Sequence, residues 1–429
     1  MNALQKFQVA YEQAVYLNRL RETKTMVLLD IDGTIATGAE EPSEQELSDR
    51  WAVRKLLNDT GVVAGAVTAR TASLTLSSEA FAASETLRAR EFPPKSGMDP
   101  MTGKRMRIPL EEKRFFDGCL NFDLTASFGS VIIVNCGQDY MVDEEFYQLL
   151  RHDYVNRDPD NVVEREPWRH VMQVFLSSEK LRPFMRFQSK LEDPDNYYDG
   201  VTDSAPLNFR YQYNFEGPEG LEMMRELKGV LDDLRFNGHR VALRINRVDE
   251  SKPDLNDPSK SRYTLYLIPW NGSKEKMVNR LFSQSVRAAG IAVKDTKLLY
   301  AGDTLTDLRA GLWAGGDAKM TFLLATGSRL APYITQKIKV FGDEDISFLW
   351  PPEIPETEEV QVTETASPEG EKLIIGEIAD RLVPTEEKGV YQFKHKIRKD
   401  RVNTVVVGDE RYPNTTAPGS VHKFLQEFL

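Results

Sequence analysis

Short, wholly apolar runs that end in a small polar cluster recur along this chain. Met26-Val27-Leu28-Leu29 runs into Asp30, Val62 to Val67 into Thr68, and Ser130 to Val134 into Asn135-Cys136-Gly137. Lys297 to Ala301 meets Gly302-Asp303, and Thr321 to Ala325 follows Gly315-Gly316. A last run, Thr404 to Val407, precedes a C-terminal helix around Val421 to Leu425. Apolar strand, tight turn, then helix is how a parallel α/β sheet reads, so all six are expected as its strands. One helix is well delimited. Ser273 can cap it, Met277, Val278, Leu281 and Phe282 share a face, and Gly290 stops it. The first twenty residues read as an amphipathic helix.

Two stretches interrupt the rhythm. Residues 146–268 hold helical and strand-like segments, such as Leu221 to Phe236 and Arg240 to Ile245, without any strand-end Asp or Thr cluster. They are expected to form a separate unit inserted into the core. Residues 351–371 are rich in Pro, Glu and Thr and poor in large apolar side chains, which predicts a mobile acidic linker. Residues 79–124 form a polar insertion that carries no clear pattern. The division is therefore 1–145 core, 146–268 inserted unit, 269–350 core, 351–371 linker, and 372–429 a segment returning to the core.

Composition narrows the class. A length of 429 residues exceeds one usual hydrophobic core, and 41% apolar with 28% charged residues suits a soluble globular chain. No run of about 18 apolar residues is present to span a bilayer, and the first residues lack a secretory pattern. Cys119 and Cys136 give no disulfide framework, so a reducing, cytoplasmic setting is expected. The formal charge of −11 argues against a non-specific grip on a nucleic-acid backbone. It leaves room for a small phosphate held by a local basic pocket and a metal ion.

The polar clusters carry the chemistry. Asp30 and Asp32, two residues apart on extended backbone, point the same way and would repel each other. A divalent cation resolves the conflict and keeps Asp30 ionised as a nucleophile, while Asp32 can hold a proton. The Asp-Gly pair that follows is also a common turn former. Asp303 and Asp307 fall about one helical turn apart if a helix starts near Thr304, a spacing and donor type that suit Mg²⁺. The same pair reads equally as a helix cap (Asp303) and a solvated acid in the first turn. Thr68, with Ala69 and Arg70 behind it, offers hydroxyl, N–H and guanidinium donors to a phosphoryl group, or simply caps the next helix. Lys274 lies in a helix first turn, against the dipole, where an ammonium is mildly unfavourable unless anions face it.

Asp-x-Asp-Gly-Thr at Asp30, a strand-end Thr68, Lys274 at a helix start and Gly-Asp-x-x-x-Asp at Asp303 follow one another in order. In this the chain resembles the haloacid dehalogenase superfamily of phosphatases. The resemblance implies a Rossmann-like parallel sheet core with an inserted α/β cap between the Thr and Lys motifs, the large C2 type. Val134 to Gly137 resembles the passage into such a cap, and Leu265 to Pro269 the strand returning from it. The sugar-phosphate branch is the most similar group: sucrose-, trehalose- and mannosylglycerate-phosphate phosphatases and phosphomannomutases. It implies Mg²⁺ at Asp30, Asp303, Asp307 and Asp32, the last through its backbone carbonyl. It further implies Asp30 as nucleophile, Asp32 as acid and base, Thr68, Ala69, Arg70 and Lys274 around the phosphoryl oxygens, and Asp307 fixing metal-bound water or Lys274. The partner is then a small phosphorylated metabolite, with neither nucleic acid nor membrane involved. Arg244, Asn246 and Arg247 are cap candidates for choosing it. A sugar phosphomutase and a non-catalytic phospho-ligand-binding protein are the alternatives. The 79–124 insertion, the linker and the N-terminal helix depart from the compact family pattern.

Overall fold

A computed structural model describes residues 11, 14–36, 42–68, 122–127, 132–137, 139–154, 211–216, 241–249, 261–269, 272–314, 316, 318–328, 330–335, 378–395 and 401–429. In chain order the elements are α1 (Leu17–Thr23), β1 (Thr25–Leu29), α2 (Glu44–Thr60), β2 (Val63–Thr68), β3 (Leu124–Ser127), β4 (Ile132–Asn135), β5 (Tyr140–Val142) and α3 (Glu144–Tyr154). Then come β6 (Tyr211–Glu216), β7 (Val241–Asp249), β8 (Ser261–Pro269), α4 (Lys274–Ala289), β9 (Lys297–Gly302), α5 (Leu305–Trp313), β10 (Lys319–Leu324) and α6 (Ala331–Thr335). The chain closes with β11 (Leu382–Pro384), β12 (Val390–Lys394), β13 (Val402–Val407), α7 (Gly408–Arg411) and α8 (Ala417–Phe428). The first ten residues, Ala69, Arg70, residues 79–121, Leu221 to Phe236 and the 351–371 linker lie outside the described residues.

Ten strands form one sheet in the order β11-β12-β13-β10-β9-β1-β2-β3-β4-β5. From β13 to β3 every pairing is parallel, and β1 sits between β9 and β2. The expected Rossmann-like parallel core is therefore present. Its central strands are largely apolar because helices cover both faces. Met26 and Leu28 of β1 join Met277, Val278, Leu281 and Phe282 of α4 and Leu308 and Leu312 of α5 in one core. Val27 and Leu29 point the other way, to Val53 and Leu57 of α2 and Val421, Phe424 and Leu425 of α8. As the sequence suggests, Ser273 caps α4, accepting from the Lys276 N–H at 3.2 Å, and Gly290 ends it at φ +68°.

One expectation needs correction. The Ser130 to Val134 run supplies β4, which is antiparallel to both β3 and β5 rather than a parallel strand. Too few residues separate Ser127 from Ile132 for the crossover a parallel pairing needs. The segment just before it is part of the sheet: β3, Leu124–Ser127, begins where the polar insertion ends. The C-terminal segment also holds more than one strand, because β11 and β12 extend the sheet antiparallel from β13.

β6, β8 and β7 form a second, three-stranded antiparallel sheet. Leu265 to Pro269 belong to its central strand, and Arg244, Asn246 and Arg247 to its edge strand β7. No helix among the described residues is long and apolar enough to cross a membrane.

α8 covers one face of the sheet and packs on α2, so the last residues belong to the core. Phe424→Ala, at a fully buried site, is expected to lower the unfolding free energy by about 3–5 kcal/mol. Urea titration measures it; a loss below about 1 kcal/mol would show that α8 is not part of the cooperative core.

Candidate active site

The site grows from the carboxyl ends of three neighbouring strands. Register pairs Leu29 with Ala66 on one side and Ala301 on the other, and the Asp30 N–H extends the ladder to the Ala301 carbonyl at 2.9 Å. Asp30, Thr68 at the end of β2 and Asp303 just past β9 are thus set side by side. β1 has its sequence successor β2 on one side and the late strand β9 on the other. That is the switch point where such sheets place their ligands.

Behind Asp30 the chain turns at once. The Ile31 carbonyl accepts from the N–H groups of Ile35 at 2.9 Å and Ala36 at 2.8 Å, which closes the loop. Gly33 has φ +77°, and a Cβ built there would stand 2.1 Å from Asp303 Oδ2. Only glycine both adopts this backbone conformation and admits the second carboxylate. Asp-Gly is therefore a turn and a site feature together. The Asp32 side chain is exposed, whereas Asp30 is 3% exposed.

Lys274 is 2% exposed, and its ammonium lies 3.1 Å from Asp30 Oδ2 and 2.7 Å from Asp307 Oδ1. These anions account for a lysine in the first turn of a helix. Asp307 is fully buried and so is not the solvated acid that a plain helix start would carry. The cap residue of α5 is Thr304, not Asp303. Asp307 Oδ2 accepts from the Thr304 N–H at 3.2 Å and from the Thr304 hydroxyl, while Oδ1 also accepts from the Tyr300 hydroxyl. Gly302 makes room for this: a Cβ there would lie 2.2 Å from the Asp307 Cβ. Beside the site Arg309 Nε meets Glu275 Oε1 at 3.1 Å, tying α5 to the first turn of α4.

One ammonium here faces three carboxylates. Burial, then the Asp307 charge, pushes the Asp30 carboxyl well above the usual carboxylate range, against the pull of Lys274. The Asp303 carboxyl is pushed up to about 7, by burial first and Asp307 second. Burial also works against Asp307 ionisation, but the Lys274 ammonium and the hydrogen bonds from Lys274, Thr304 and Tyr300 outweigh it and hold that carboxyl low. Asp30 Oδ1 and Asp303 Oδ1 are buried without a hydrogen-bond partner among the described residues. One oxygen from each of Asp30, Asp303 and Asp307 lies within 4.8 Å of the others. Orphaned anionic oxygens converging in a space short of positive charge fit a hard divalent cation with oxygen ligands.

Of the expected residues, the structure brings Asp30, Lys274, Asp303 and Asp307 into this group and puts Thr68, fully buried, on the adjacent strand end. Asp32 faces solvent at its edge, Ala69 and Arg70 lie outside the described residues, and Arg244, Asn246 and Arg247 are placed only as members of β7. The sequence pattern does not single out Tyr300 and Thr304. The available signal was a lone hydroxyl in the apolar β9 and a Thr between the two acids.

No protein-family model matches the chain, and comparison with curated protein sequences gives no significant match. Among solved structures it is similar to a haloacid dehalogenase-like hydrolase of Bacillus subtilis, with 16% identity over 73% of this chain and 90% of that one and a TM-score of 0.37. It is similar to trehalose-6-phosphate phosphatase of Aspergillus fumigatus, at 13% identity over 74% and 89% of the two chains and a TM-score of 0.33. A haloacid dehalogenase-like hydrolase of Bacteroides thetaiotaomicron matches at 15% identity over 70% and 88%, with a TM-score of 0.34.

Proposed function

We propose that this protein is a Mg²⁺-dependent phosphohydrolase that cleaves a small phosphomonoester through a phosphoryl group carried on Asp30. What carries this is Lys274. It is buried between Asp30 and Asp307, while Asp30 Oδ1 and Asp303 Oδ1 are buried with no hydrogen-bond partner among the described residues. That arrangement suits neither a plain ion pair nor a hydrogen-bonded core. It suits a cation and a phosphate.

Asp30, Asp303 and the Asp32 backbone carbonyl would hold Mg²⁺, which supplies positive charge to the phosphoryl oxygens and keeps the carboxylates ionised. Asp30 attacks phosphorus, forming the Asp30 O–P bond as the ester P–O bond breaks. Asp32 gives its proton to the departing oxygen. Its exposed side chain suits exchange with the leaving alcohol and then with water. Asp32 next takes a proton from that water, whose oxygen bonds to phosphorus and frees Asp30. Lys274 and the Thr68 hydroxyl hold the phosphoryl oxygens, and Ala69 and Arg70 are the candidates for further donors. Fixed positive charge of this kind is usually the main source of catalysis in phosphoryl transfer. The unit spanning 146–268 would choose the substrate, because the core handles only the phosphate. A sugar phosphate is the favoured class, with Arg244, Asn246 and Arg247 its candidate contacts.

A screen of phosphorylated metabolites with released phosphate measured is the direct test. EDTA and Asp30→Asn are each expected to abolish release without unfolding the protein. Near-native turnover by Asp30→Asn would overturn the covalent route.

The raised carboxyls give a second test. In the metal-free folded state Asp303 takes up its proton near 7, against 3.8 for an ordinary aspartate, and Asp30 is raised as well. Folding therefore binds protons between those values, so metal-free stability falls as pH rises through that window. Mg²⁺ displaces the protons and should restore more stability at pH about 8 than at about 5. Thermal melts with EDTA or Mg²⁺ at both pH values measure the difference. Equal stabilisation at the two would contradict a metal bound by these acids.

A further inference from the structure

We propose that Tyr300 is a positioning residue, whose hydroxyl keeps Asp307 as the counter-ion of Lys274 and off the metal. This rests on the phosphohydrolase reading above and adds a division of labour among its three clustered acids. An ionised carboxylate has about four lone-pair sites. Asp307 has four hydrogen bonds: from Lys274 and Tyr300 to Oδ1, and from the N–H and hydroxyl of Thr304 to Oδ2. Both its oxygens are filled. Asp30 and Asp303 instead each present a buried oxygen with no hydrogen-bond partner among the described residues. A cation drawn into the group thus finds two open carboxylates and one that is closed, although all three have oxygens within 4.8 Å.

Tyr300 is built for that task. It is fully buried on β9 among Leu298, Leu299 and Ala301, and its ring packs edge-on against Phe322 at 5.6 Å between centroids. A phenylalanine would fill the same space. The hydroxyl adds nothing to the packing and must be hydrogen-bonded once buried. Among the described residues it donates to the same Asp307 oxygen that takes Lys274. Held from both sides, Asp307 keeps the ammonium beside Asp30, 3.1 Å from its Oδ2. With the hydroxyl gone, Oδ1 has an open site and Asp307 can turn toward the metal as a third ligand. Lys274 then loses part of its anchor.

The test uses the full-length protein and magnesium chloride alone, titrated calorimetrically, followed by steady-state kinetics on the best phosphomonoester. Tyr300→Phe is expected to bind Mg²⁺ about tenfold more tightly while kcat falls about tenfold, with KM little changed, the scale usual for residues behind a metal ligand. Thr304→Ala opens Oδ2 and should shift both quantities the same way, so it decides the matter if Tyr300→Phe does not fold. Phe322→Leu loosens the ring's packing without touching Asp307. It should lower Tm yet leave Mg²⁺ affinity native, which a merely structural role for Tyr300 would also predict of Tyr300→Phe. Native affinity and kcat in both Tyr300→Phe and Thr304→Ala, or weaker Mg²⁺ binding, would overturn the assignment. If the native protein itself binds no Mg²⁺, the phosphohydrolase reading falls too. If it binds Mg²⁺ and releases phosphate but the variants match it, only the role of Tyr300 is refuted.

Discussion

Burying like charges together sets the terms for the rest of this structure. Asp30, Asp303 and Asp307 meet around the single ammonium of Lys274, in a place where each carboxylate loses most of its hydration. Ionised carboxylates taken from water into a protein interior cost several kcal/mol each unless paired, by an order-of-magnitude estimate. Lys274 and its neighbours satisfy Asp307, and the other two remain short of positive charge. A core stabilised only for its own sake would have replaced such a group with apolar side chains. Under the proposed function, a bound cation and phosphate offset that cost at the ends of three parallel strands.

Much of the surrounding architecture serves to hold these groups in register. β1, β2 and β9 are locked by parallel ladders and by helices on both faces, so their ends cannot shift independently. α4 and α5 start beside one another, one presenting Lys274 and the other Asp307, with Glu275 and Arg309 joining them a residue or two further on. The glycines occupy the points of closest approach. Gly33 lets Asp303 lie against the Asp30 loop, and Gly302 lets Asp307 fold back over β9. Rigid strands, two helix starts and two missing side chains together give a site whose acids cannot relax apart.

The parallel strands were legible in the sequence because burial on both faces writes itself as an unbroken apolar run. Asp30, Thr68 and Asp303 could be placed because each ends such a run. Lys274 was legible as a charge set against a helix dipole. β3 was not: Leu124-Thr125-Ala126-Ser127 is short and half polar, and only its neighbours β2 and β4 make it a strand. The antiparallel direction of β4 was hidden for the same reason, since its partner was not recognised. β11 and β12 alternate or end in exposed residues at the sheet margin, which gives a weak pattern. Nothing local marks Tyr300 and Thr304, because their importance lies in a tertiary contact to Asp307 that no spacing reveals.

Central to the proposed function is Asp30 as the residue whose carboxylate would carry the phosphoryl group. Borohydride reduces an acyl phosphate, but not a free carboxylate, to an alcohol. The protein would be quenched during its first turnover of a phosphomonoester with Mg²⁺, reduced, digested and analysed by mass spectrometry. The account predicts homoserine in place of aspartate at position 30, appearing only with substrate and Mg²⁺. Reduction at another carboxylate, or none while phosphate is being released, would contradict it.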